Sequence, residues 1–66
     1  MAYFSVELRH GENKQVWIAN CEDAELATAL ALEAPGALPS ERVAASHLAG
    51  DPPFPVDENS VKQWLP

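Results

Sequence analysis

Polar and apolar residues alternate at the start of the chain. Phe4, Val6 and Leu8 are interleaved with Ser5, Glu7 and Arg9, the period of a half-buried strand. Gly11-Glu12-Asn13 follows with turn-forming residues. The next run, Lys14 to Cys21, collects Val16, Trp17 and Ile18, as a strand prefers. A β-hairpin is therefore expected, in one of two registers. A two-residue loop at Glu12-Asn13 pairs Leu8 with Trp17 and Val6 with Ala19. A three-residue loop pairs Leu8 with Val16 and Val6 with Ile18. The longer loop buries more aliphatic surface and sets Trp17 beside Glu7 and Arg9 on the opposite face, so it is the favoured register. A slip of one residue decides which of Trp17 and Ile18 enters the core.

The period then changes. Leu26, Ala27, Leu30, Ala31 and Ala34 form one helical stripe. Asn20 is the expected N-cap with Asp23 at N3, Glu22, Asp23 and Glu25 complement the helix dipole, and Pro35-Gly36 ends the segment. A second helix is expected after Ser40, with Val43, Ala44, His47 and Leu48 as its stripe and Gly50 just past its end. Asp51-Pro52-Pro53-Phe54-Pro55 is too rich in proline for regular structure. A third, short helix is expected from Glu58 to Leu65, capped by Asp57, with Val61, Trp64 and Leu65 on one side. The expected fold is α+β, a single small acidic domain over residues 1–66 with an N-terminal β-hairpin packed against two or three short helices (β-β-α-α-α). A lone hairpin is marginal in water. Its open edge predicts either cover by helices or pairing with another chain, including a homodimer.

Charge narrows the function. The 66 residues carry ten acids against four bases, a net charge of −6. Such a chain is repelled by phosphate backbones, so direct nucleic-acid binding is disfavoured. A basic partner, which could itself be a nucleic-acid-binding protein, is favoured. Cys21 is the one cysteine, so no internal disulfide forms, as expected of a reducing, cytoplasmic protein. No basic leader and no apolar run of membrane-spanning length is visible. The initial Met, with no tag, fits a whole small gene product.

No catalytic set emerges. In the hairpin Cys21 and His10 stand roughly 20 Å apart at about 3.3 Å per residue, and His47 reaches Cys21 only through tertiary folding. One cysteine and two histidines make no zinc pattern, the glycines form no phosphate loop, and no cofactor is implied. The expectation is a non-enzymatic binding module, an inhibitor, adaptor or regulator. Its acids Glu22, Asp23, Glu25, Asp57 and Glu58 steer it to a basic surface, and Trp17 and Trp64 are the candidate aromatic anchors. A second expectation is a dimeric helix-turn-helix variant. Val43 to Gly50 followed by Val61 to Leu65 echoes that rhythm, with Lys62 and Gln63 as readers, although the proline-rich connection is long and the charge unfavourable. The strand-turn-strand-helix opening is also a layout shared by some antitoxins and small viral inhibitors, which is architecture rather than function.

Overall fold

The computed structural model describes residues 2–65. Strand β1 (Ala2–His10) and strand β2 (Asn13–Cys21) form the hairpin, helix α1 (Ala24–Glu33) follows, and strands β3 (Arg42–His47) and β4 (Ser60–Leu65) complete a four-stranded sheet. The strand order is β3-β1-β2-β4, and every neighbouring pair is antiparallel. The α+β class holds, but the second and third helices do not exist: those segments are the two outer strands. The hairpin therefore has no free edge for a dimer, because β3 lies along β1 and β4 along β2. The helix-turn-helix reading falls with the same two helices.

The hairpin turns on two residues, Gly11 and Glu12, with His10 opposite Asn13. Gly11 has a φ of +60° and Glu12 none that is positive, the pattern of a turn needing glycine at its first inner position. Val6 consequently faces Trp17, Phe4 faces Ala19 and Leu8 faces Gln15. Neither expected register is adopted. The observed one is displaced by two residues from the shorter-loop alternative, so it keeps that parity and reverses the favoured facing. Trp17 enters the core, and Ile18 lies on the other side of the sheet.

Helix α1 covers the face bearing Phe4, Val6, Leu8, Trp17, Ala19 and Cys21, inserting Ala27 and Ala31. Alanines on the inner stripe let the helix sit close to the sheet, so the aromatic and aliphatic bulk comes from the strands. Its N-cap is Asp23, whose carboxylate accepts from the Leu26 amide at 2.8 Å, three residues beyond the expected Asn20. The second face is covered in part by the connection between β3 and β4, which crosses from one sheet edge to the other. The Val56 carbonyl accepts from the Tyr3 hydroxyl and the Asn20 amide, and Ile18 beneath it has no exposed surface. Asn59, with a φ of 57°, turns the chain into β4; there Asp57 accepts a turn hydrogen bond from Ser60 rather than capping a helix.

One side chain ties helix, loop and sheet together. The Gln15 Oε1 accepts from the buried Trp17 indole at 2.8 Å and from the Leu38 amide at 2.7 Å, while its Nε2 donates to the Gly36 carbonyl at 3.0 Å. Two donors converging on one atom settle which end of the amide is oxygen. Replacing Gln15 with Leu orphans the buried Trp17 indole and leaves two part-buried backbone groups to water, so Gln15→Leu is expected to cost about 2–4 kcal/mol in denaturant unfolding, since a buried unsatisfied group costs about 1–3 kcal/mol and a hydrated one less. Adding Trp17→Phe removes one orphaned donor, so the double variant should lose less than the sum of the two single losses. Strict additivity would show that the indole gains nothing from Gln15.

Candidate functional site

The sheet sorts charge along its length. The molecule measures 31 × 19 × 19 Å, and each of the nine-residue strands of the hairpin spans about 30 Å at about 3.4 Å per residue. Glu22 and Asp23 follow directly on Cys21 at the end of β2, and Glu25 stands in the first turn of α1. Asp57 and Glu58 precede Asn59, whose amide donates to the Asn20 carbonyl at 2.7 Å. Asp51 belongs to the crossover whose two ends are fastened here, by Leu48 on Tyr3 and by Val56 on Tyr3 and Asn20. These six acids, all exposed, lie on three segments that begin or end at this end of the sheet. The other four, Glu7, Glu12, Glu33 and Glu41, equal the four bases in number. The acids at this end therefore equal the net charge in number, with Lys62 sharing a surface cleft with Asp57.

The bases have their own order. Lys14, Arg9 and Arg42 are directly opposite one another across β2, β1 and β3, and Lys62, opposite Ile18, shares their face, the one away from α1. Like charges side by side across strands are unfavourable. Relief comes from Glu7, paired with the Arg9 guanidinium; that hydrogen bond, reinforced by the charges of Arg9 and Lys14, lowers the Glu7 pKa. Lys62 stands over the ring of half-buried Phe54, 5.6 Å from its centre. His10 lies 3.6 Å from Glu41. Among the described residues Arg42 and Lys14 form no ion pair with an acid.

The expected site residues divide. Glu22, Asp23, Glu25, Asp57 and Glu58 are brought together. Trp17 is 4% exposed and its indole is satisfied by Gln15, so the ring belongs to the core. Trp64 is 42% exposed but lies towards the far end of β4, away from the acids. Phe54 lies in the crossover with Lys62 over its ring, and Tyr3 stands at the acidic end of the sheet, opposite Asn20. Asp51 and the base row were not among the expected residues; the crossover and the strand registers reveal them.

Cys21 is fully buried and its thiol donates to the Asp23 carbonyl. Burial raises its pKa, opposed by a backbone hydrogen bond from Asp23 and assisted by the charges of Asp23 and Glu22. His47 lies two strands away, with its ring against Phe4 at 4.5 Å between centres, which puts its backbone roughly 12 Å from that of Cys21 at about 4.8 Å per strand and 3.4 Å per residue. Among the described residues no group of three or more metal-ligating side chains could hold an ion. No helix among them is long and apolar enough to cross a membrane. Comparison of the chain with family models, curated proteins and solved structures gave no match.

The buried thiol makes a prediction. The folded chain keeps the Cys21 proton to higher pH than the unfolded chain does, so its contribution to stability is present below the ordinary thiol pKa and is lost as pH rises through the folded value. Iodoacetamide should label native Cys21 far more slowly than the denatured chain at mildly alkaline pH. Equal rates would mean an accessible thiolate and restore a nucleophile to consideration.

Proposed function

We propose that this chain is a non-enzymatic protein-binding module, an inhibitor, adaptor or regulator that engages a basic surface of its partner through the acidic pole. The observation that carries this reading is that Glu22, Asp23, Glu25, Asp51, Asp57 and Glu58 lie on three segments fastened at the same end of the sheet. Helix-start acids complement the dipole of their own helix, but that accounts for Asp23 and Glu25 and not for Asp51, Asp57 and Glu58, which begin no helix. Clustered charge of one sign costs self-repulsion and gains long-range attraction for the opposite sign. The half-buried Phe54, in the crossover that also carries Asp51, supplies apolar contact once the partner has arrived. A nucleic-acid-binding protein has the complementary surface, so occupation of such a basic groove is the form of inhibition this charge suits best.

The test neutralises the pole without changing its shape: Glu22→Gln, Asp23→Asn, Glu25→Gln, Asp51→Asn, Asp57→Asn and Glu58→Gln together. Asn at position 23 still caps the helix. Affinity capture from the host lysate after nuclease treatment should return a protein partner with the natural chain. The neutralised chain should bind that partner roughly tenfold or more weakly at low salt, with a flatter salt dependence. Unchanged affinity at low and high salt would reject steering by the pole, and loss of every partner on nuclease treatment would reject the protein-binding reading.

A further inference from the structure

The two outer strands of the sheet are not equally protected. Strand β4 breaks register against β2 between Val16 and Trp17 and carries Lys62; a bulge and a lysine are both devices that discourage an added strand. Strand β3 has none of these. Its pairing with β1 runs unbroken from Arg42 to His47, it contains no proline or lysine, and five of its six residues are exposed. The Leu48 amide donates to the Tyr3 carbonyl at 3.0 Å. Alternation from that bond turns the backbone groups of Arg42, Ala44 and Ser46 towards β1 and those of Val43, Ala45 and His47 outwards.

We propose that the β3 edge is a docking site for an extended acidic segment of a partner protein, which adds a fifth strand and places a carboxylate beside Arg42. This surface lies apart from the acidic pole, and the inference does not rest on the pole's function. A strand laid along β3 extends the row Lys14, Arg9, Arg42 by one position, and an acid there makes an opposite-charge cross-strand pair where the present neighbours are like-charged. Arg42 is exposed and has no ion-pair partner among the described residues; the adjacent acid, Glu41, is turned to His10. Arg42, Arg9, Glu7, Val43 and Ala44 line a shallow open groove along the β3 edge, where the small Ala44 leaves room for an incoming side chain. On the helix side Val43, 37% exposed, offers an apolar neighbour to the alternate residues. The recognised pattern is therefore acid alternating with β-branched residue, bound through its backbone.

The probe is a short fluorescent peptide of alternating Glu and Val, followed by anisotropy at low salt against the natural chain. It should bind, and the matching Lys-Val peptide should not. Arg42→Glu should weaken the Glu-Val peptide about tenfold and gain affinity for the Lys-Val peptide. Val43→Pro removes an outward amide donor at a position where an edge strand tolerates proline, and it should abolish binding that Val43→Ala retains. A Glu-Val peptide N-methylated at alternate residues, tested in both phases against the unaltered protein, should lose binding in the phase whose methyl groups face β3 and keep it in the phase whose methyl groups face away. Failure of the Glu-Val peptide to bind overturns the proposal. So does equal binding of the N-methylated peptides, which would mean a charge patch without strand addition. Tighter binding of a single-stranded oligonucleotide would make the row a phosphate site instead. A concentration-dependent dimer that excludes the peptide would assign the edge to a second copy of the chain.

Discussion

The placement of Val6 opposite Trp17 governs this structure. A two-residue loop with glycine in its first position fixes that pairing, and strand alternation then fixes the facing of each residue in the hairpin. Even-numbered residues of β1 and odd-numbered residues of β2 make the core under α1. Their neighbours, including Arg9 and Lys14, are sent to the other face. Adding β3 and β4 in their observed registers brings Arg42 and Lys62 to the same side. The segregation of the bases is a consequence of parity, and a one-residue slip would place Arg9 in the core and dismantle the row.

Gln15 converts that parity into a tertiary constraint. It lies on the core face opposite Leu8, where an amide is tolerated only if fully bonded. Its three hydrogen bonds join the Trp17 indole to the loop at Gly36 and Leu38, which leads from α1 into β3. The core is small, with much of its inner helix stripe alanine, so this polar junction does what bulk does in a larger domain. It sets the start of β3, and hence the position of Arg42 beside Arg9.

Local pattern revealed the hairpin and α1, because each carries its period over eight or more residues. The outer strands have six each, too few for the helical and extended periods to separate. Val43 and His47, or Ala44 and Leu48, are as far apart as neighbours on a helix, and Ala is a strong helix former. In β4 the irregularity opposite Val16 and Trp17 breaks strict alternation, so Val61, Trp64 and Leu65 imitate a helical stripe. What decided both segments was the demand of two open hairpin edges for partners, which no local window contains. The acids were visible as two runs, but their meeting depends on β4 pairing with Asn20. The base row was invisible for the same reason, since its members are far apart in sequence and adjacent only in register.

The role proposed for the acidic end of the molecule is to engage a basic surface of a partner. An NMR titration of the isotopically labelled chain with its captured partner tests this most directly. Shift changes centred on the amides of residues 22–25, 51, 54 and 57–60, shrinking as salt is raised, are the predicted result. Shift changes confined to the hairpin turn and the α1–β3 loop, with the pole unmoved, would contradict it.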